Sequence, residues 1–223
     1  MKHQWLHKEQ KTRLLIFCNG WGMDSEPLKH LISENYDVLM LYDYSTLKSP
    51  LTVTDLIASY ETTSLLAWSM GVWAGQQIFG EMQKDLTSCI AINGTLCPID
   101  DVFGIPEKMV RATLDKLDKK QRLKFYYRMC RDRDVYKKFI QNQPKRDVAD
   151  QKRELDSLLK NARCKEPARI VYKRAIVASH DFIIPTRNQL QFWPEKIVKR
   201  VDGSHFLFYA YNSWDELLEM AEA

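Results

Sequence analysis

The chain has 223 residues, 45% hydrophobic and 28% charged, with 33 Lys and Arg against 29 Asp and Glu for a formal net charge of +4. That suits one large domain, or one domain carrying an insertion, with a sizeable core. No apolar run approaches the roughly 18 residues of a membrane span, and the start, Met1-Lys2-His3-Gln4-Trp5-Leu6-His7-Lys8, lacks the apolar stretch of a secretory signal.

Arg13-Leu14-Leu15-Ile16-Phe17-Cys18 reads as a buried strand ended by Asn19-Gly20-Trp21-Gly22. Residues 27–32 fit a short helix, 36–42 a second strand and 54–60 one or two helical turns. A third strand is expected over 63–68, a helix over 71–79, and a fourth strand over 88–93, stopped at Asn93-Gly94. From Glu107 to Lys165 the strand signal vanishes, and apolar positions such as Leu114, Leu117, Leu123, Tyr126 and Tyr127 recur at helical spacing. Strand signal returns at 169–178; a helix follows Pro185, then a strand over 196–201 and a helix over 214–220. Alternation of this kind predicts an α/β fold, a mostly parallel sheet flanked by helices. The helical block predicts an inserted cap over 99–167, with 1–98 and 168–223 forming the core. There is no internal repeat.

The five cysteines, Cys18, Cys89, Cys97, Cys130 and Cys164, are odd in number and scattered, with no Cys-x-x-Cys. This argues against a disulfide framework or zinc site and for a reducing cytoplasm. No metal site is assigned to the five histidines, and no cofactor is expected.

The third strand runs into Ala67-Trp68-Ser69-Met70-Gly71. A serine fenced by small residues between strand and helix has the form of a nucleophile elbow, whose turn is too tight for bulky neighbours. The usual pattern is Gly-x-Ser-x-Gly, and Ala67 replaces the first glycine. Sites in such sheets form beyond the carboxyl ends of the strands. The first strand exits into Asn19-Gly20-Trp21-Gly22, either a plain glycine-rich turn or one whose N–H groups face a cavity. The candidate oxyanion donors are the N–H groups of Trp21 and Met70. The strand ending at 178 exits into Ser179-His180-Asp181, where Asp181 is a helix N-cap or a carboxylate that orients a histidine. His180 is a rival base but precedes the acid. The last strand exits into Asp202-Gly203-Ser204-His205, placing His205 on a short loop. The order Ser69, Asp181, His205, each at a strand end, is that of hydrolases with this architecture.

These segments, with Gly203-Ser204-His205-Phe206 and Ala67-Trp68-Ser69-Met70-Gly71-Val72-Trp73-Ala74, resemble an α/β-hydrolase. More narrowly, the chain resembles the BioG-type pimeloyl-[acyl-carrier protein] methyl ester esterases of biotin synthesis, over almost its whole length; the alanine at Ala67 is shared with that group. The resemblance implies a cytoplasmic, monomeric carboxylesterase that frees the pimeloyl carboxylate through an acyl-enzyme on Ser69. His205 would be the base and Asp181 its support. It also implies an acidic acyl carrier protein as partner. Other readings are a different serine hydrolase, such as an acyl thioesterase or small-ester carboxylesterase, and an inactive module that binds the carrier.

Charge distribution bears on that partner. Residues 107–165 carry 19 Lys and Arg against 9 Asp and Glu, a net +10, which leaves −6 for the rest. A basic cap would steer an acidic partner; the alternative is a solvated helical face. The docking candidates are Lys124, Arg128, Arg131, Arg133, Lys137 and Lys138. No nucleic-acid motif accompanies the charge. Trp21 and one or two cap aromatics are expected to line an acyl channel, with most other aromatics in the core.

Overall fold

The computed structural model describes residues 1–48, 52–164 and 169–222. Among these, seven strands form one sheet: β1 Lys2–His7, β2 Arg13–Cys18, β3 Tyr36–Tyr42, β4 Thr62–Trp68, β5 Ser88–Ile92, β6 Arg174–Ala178 and β7 Val198–Val201, in the order β1-β3-β2-β4-β5-β6-β7. β1 is antiparallel to β3, and every other pairing is parallel.

Side chains alternate across each strand, so each central strand feeds two cores. Leu15 and Phe17 of β2 pack with Leu66 and Trp68 of β4 beneath Trp214 and Leu217. Leu14, Ile16 and Cys18 point the other way, toward Val53, Val72 and Phe79. The helices carrying these partners are α1 Val53–Ala58 and α2 Met70–Phe79 on one face and α8 Trp214–Glu222 on the other. Helix α7, Thr186–Phe192, follows β6.

Between β5 and β6 lie α3 Glu107–Lys116, α4 Lys119–Cys130, α5 Arg133–Gln141 and α6 Val148–Asn161. Three of them begin at an aspartate whose side chain accepts backbone N–H bonds: Asp118 from Gln121, Asp132 from Asp134 and Val135, and Asp147 from Asp150. Such caps contribute about 1 kcal/mol each. Leu117 and Tyr126 are buried here, whereas Leu123 and Tyr127 stay largely exposed. The expected boundary between residues 167 and 168, and the end of the helical block at Lys165, lie outside the described residues.

Three expectations need correction, and one strand was not expected. The segment 27–32 makes only a single helical turn at Glu26–Leu28, and Ile32 instead bridges to Ser213. The strand read over 169–178 is confined to Arg174–Ala178; Val171 gives its N–H to the Gln76 side chain rather than to a neighbouring strand. β1 went unread because its polar, half-buried residues show no clean alternation, and only pairing with β3 makes it a strand. Cys97 and Cys164 form a disulfide, against the expectation from their spacing. They flank the α3–α6 insertion, whose two ends meet at its base, and nothing in sequence separation records that meeting.

Candidate active site

Ser69 sits between β4 and α2 with φ 58° and ψ −125°, the strained turn expected of an elbow. Close packing enforces it. A Cβ at Gly71 would lie 2.2 Å from the Cys18 carbonyl oxygen and 2.5 Å from that of Asn19, so only glycine lets α2 start this near the exit of β2. Ala67 is fully buried within β4, where its methyl group is accommodated.

Three strand exits converge here. His205 Nε2 lies 2.9 Å from Ser69 Oγ, and His205 Nδ1 lies 2.7 Å from Asp181 Oδ2. With Nδ1–H donating to the carboxylate, Nε2 is left to accept the serine proton. Ser69, Asp181 and His205 are all at least nine-tenths buried. The two readings of Asp181 coexist in one carboxylate. Oδ1 accepts the N–H groups of Ile183 and Ile184, while Oδ2 faces His205 and also accepts Gln189 Nε2 at 2.8 Å. His180 is exposed, bonded to Ser179 and turned toward Asp202, and takes no part.

The His205 backbone is also fixed. Its carbonyl accepts Trp68 Nε1 at 2.9 Å and Asn93 Nδ2 at 2.9 Å, and Asn93 Oδ1 accepts the Ala178 N–H. Asn93, fully buried with φ 46°, therefore joins the exits of β5, β6 and β7. Sequence reading took Asn93-Gly94 only as a strand stop; its position at a strand exit was the available signal. Gln189 offered none, being one glutamine on a short helix.

On the other side of Ser69 is the turn after β2. Gly20 N–H donates to Asn19 Oδ1 and Gly22 N–H to Glu154 Oε2. The N–H of Trp21 has no acceptor among the described residues, nor has that of Met70 at the first position of α2. Both residues line the cleft over Ser69. Its walls are mostly apolar, with Met23, Ile105, Val110, Phe125, Leu155 and Ile183 among them. Trp21 and Phe125 stack edge to face across it, with centroids 5.1 Å apart. Trp73 and Tyr126 are core residues, whereas Phe182, not singled out from sequence, lines the cleft.

The docking candidates divide by location. Lys124 and Arg128 border a groove between α3 and α4, together with Lys116 and Lys120, which sequence reading left out. Met109, Thr113, Phe125 and Arg128 line both groove and cleft, so the two adjoin. Arg131 lies over the Phe182 ring at 3.9 Å and Lys138 over Tyr209 at 4.3 Å. Lys137 pairs with Asp134, and Arg133 is exposed at the start of α5. No group of three His, Cys, Asp or Glu side chains among the described residues is arranged to hold a metal ion. No helix among them is long and apolar enough to cross a membrane.

The fold has known counterparts. The family model described as "Pimeloyl-ACP methyl esterase BioG" matches residues 1–217. The crystal structure of BioG from Haemophilus influenzae is similar at 32% identity and a TM-score of 0.85, covering 97% of this chain and 99% of that one. A protein of Bacteroides fragilis named malonyl-[acyl-carrier protein] O-methyltransferase is 37% identical over 198 residues; the match takes in 88% of this chain but only 40% of that protein's length. The bromoperoxidase-like BpoC of Mycobacterium tuberculosis, at 12% identity and a TM-score of 0.65, shares the fold.

Proposed function

Because the chain belongs to the BioG family of pimeloyl-ACP methyl esterases, we propose that it hydrolyses the methyl ester of pimeloyl-[acyl-carrier protein] in biotin synthesis, with Ser69, His205 and Asp181 as catalytic triad. The observation that carries this reading is the hydrogen-bonded chain from Asp181 through His205 to Ser69 at the floor of an apolar cleft.

The geometry supports this course of reaction. Ser69 Oγ attacks the ester carbonyl as His205 Nε2 takes its proton, and Asp181 stabilises the imidazolium. The N–H groups of Trp21 and Met70 receive the oxyanion; losing one such donor costs about 10²–10³ in rate. Collapse of the intermediate expels the methoxy group, which takes the proton from His205 and leaves as methanol. Water, deprotonated by His205, then releases the acyl group as a free carboxylate and restores Ser69.

The helices α3–α6 act as a cap in this scheme. Their basic face docks an acidic acyl carrier protein, through Lys124 and Arg128 at the groove and Arg131, Arg133, Lys137 and Lys138 beside it. The tethered chain enters between α3 and α4. The name of the Bacteroides relative supports a carrier-bound methyl ester as substrate, since O-methylation of malonyl-carrier would create that kind of ester.

Complementation of a strain lacking its pimeloyl ester esterase tests the reading, with Ser69→Ala as control. Growth with the wild-type chain but not the variant is expected; no growth with either refutes it. Replacing Lys120 and Lys124, which border the groove but not the cleft, by glutamate is expected to slow the carrier-bound ester and spare a small ester. Equal loss on both would count against carrier docking.

A further inference from the structure

The turn that presents Trp21 is tied to the insertion at Trp21 and Gly22. Glu154, fully buried on α6, accepts the Gly22 N–H at 2.9 Å through Oε2 and the Tyr44 N–H at 3.0 Å through Oε1. Gln151, one helical turn earlier, donates from Nε2 to the Gly22 carbonyl at 2.8 Å. The Gln151 carbonyl accepts the Trp21 indole N–H at 2.9 Å. Both polar groups of Gly22 and the ring of Trp21 are thereby tied to α6. Gly22 has φ 73°, a conformation that favours glycine, and a Cβ there would lie 3.1 Å from Gln151 Nε2 and crowd that side chain.

Glu154 is itself held in place. Arg146 bonds it through Nη1 at 2.6 Å and Asp150 through Nε at 2.6 Å, with Asp43 3.5 Å from Nη2. Burial pushes the Glu154 carboxyl up, and the Arg146 charge with the two backbone N–H donors opposes that. A buried carboxylate with this set of partners is a costly device for simply closing a helix onto a sheet, where apolar side chains would serve equally well. What it secures is the orientation of one turn. The core holds the start of the turn, at Asn19: its N–H donates to the Leu41 carbonyl, its Oδ1 accepts the Gly20 N–H, its Nδ2 donates to the Asp24 carbonyl and its carbonyl accepts the Tyr44 hydroxyl.

We infer that Glu154 and Gln151 are positioning residues that aim the Trp21 N–H at the reacting carbonyl, so that the α3–α6 insertion completes the oxyanion hole as well as covering the cleft. This rests on the oxyanion role assigned to Trp21 above. An N–H swung away from the developing charge forfeits the stabilisation that preorganised donors supply, and misplacement by about 1 Å costs on the order of 10²-fold in rate. Ground-state binding in the apolar cleft needs neither residue.

The test uses Gln151→Leu and Glu154→Gln in the full chain, with p-nitrophenyl butyrate as a small substrate and a trifluoromethyl ketone as mimic of the tetrahedral oxyanion. For each folded variant the expected result is a kcat lower by about 10–100-fold with KM changed less than about twofold, and affinity for the ketone weakened in step with kcat. A merely structural role would lower the melting temperature without that split. Gln151→Leu keeps the helix and the backbone bond to Trp21, and it decides the matter alone if Glu154→Gln fails to fold. A kcat for Gln151→Leu within twofold of wild type, or a loss confined to KM, overturns the inference. Fluorophosphonate labelling separates this failure from that of the parent reading: unlabelled wild-type Ser69 defeats the hydrolase assignment, whereas a labelled wild type with an unimpaired variant defeats only the role of α6.

Discussion

Replacing Gly71 by alanine should damage this protein more than its size suggests. The new methyl carbon would sit 2.2 Å from the Cys18 carbonyl oxygen, 2.5 Å from that of Asn19 and 2.7 Å from the Cys18 carbonyl carbon. All three are backbone atoms, so no rotamer change relieves them. To reach ordinary contact, the start of α2 and the end of β2 must separate by on the order of 1 Å. Overpacking of this kind costs about 1–3 kcal/mol, which lowers the melting temperature of a chain this size by roughly 3–10 °C. The rate should fall further than stability. The clash lies between the segment bearing Ser69 and Met70 and the turn bearing Trp21, and a 1 Å error in such placement costs about 10² in rate. Thermal unfolding and turnover of a p-nitrophenyl ester measure both. Ala67→Gly is the contrasting variant. It restores the commoner elbow residue but loses a buried methyl and adds backbone freedom, together roughly 1–2 kcal/mol, with kcat unchanged. The reasoning is refuted if Gly71→Ala keeps kcat within twofold and its melting temperature within 1–2 °C of wild type, for then the elbow has slack that the structure denies.

Asp181→Asn should leave the fold intact and lower kcat by about 10⁴, because the histidine loses the acceptor that sets its tautomer; a loss below tenfold would remove Asp181 from the triad. Asn93→Ala strips the Ala178 N–H and the His205 carbonyl of a buried partner, so denaturant titration should show a loss of about 2–4 kcal/mol, with kcat falling as the His205 loop loosens. Thiol titration of the unfolded chain should find three free thiols without reductant, Cys18, Cys89 and Cys130, and five with it. The disulfide closes a loop of 67 residues, so Cys97→Ser should lower stability by up to about 4 kcal/mol. At Asp43, burial opposes ionisation, but hydrogen bonds from Lys2 and Ser45 and the Arg146 charge outweigh it and bring the carboxyl down to about 2. A folded-state value below the unfolded one of about 3.9 gives stability that is full above pH ~4 and fades as pH falls through about 2. Asp43→Asn should therefore lower stability at pH 7 by roughly 1–2 kcal/mol, allowing for the exposed Lys2, and flatten the acid limb between pH 4 and 2.

By itself the sequence determined whatever depends on local pattern. The central strands β2, β3 and β4 were legible because their side chains are buried on both faces, and a continuous apolar run bounded by turn residues cannot hide. Ser69, Asp181 and His205 were legible because each stands where a strand ends, which is where this architecture builds its sites. The run from β5 to β6 was legible as helical for the same local reason. Other features are set by partners distant in the chain and appear only in the fold. β1 is a strand by virtue of β3. Cys97 and Cys164 pair because the ends of an insertion close on each other. Trp73 is core and Phe182 lines the cleft because packing, not residue type, sorts aromatics. Asn93 and Gln189 hold His205 and Asp181, and Glu154 and Gln151 hold the turn on the other side of Ser69, through hydrogen bonds that span between 8 and 132 residues of chain. Such bonds leave no period and no spacing in the sequence, because their geometry exists only once the sheet has brought the strand ends together.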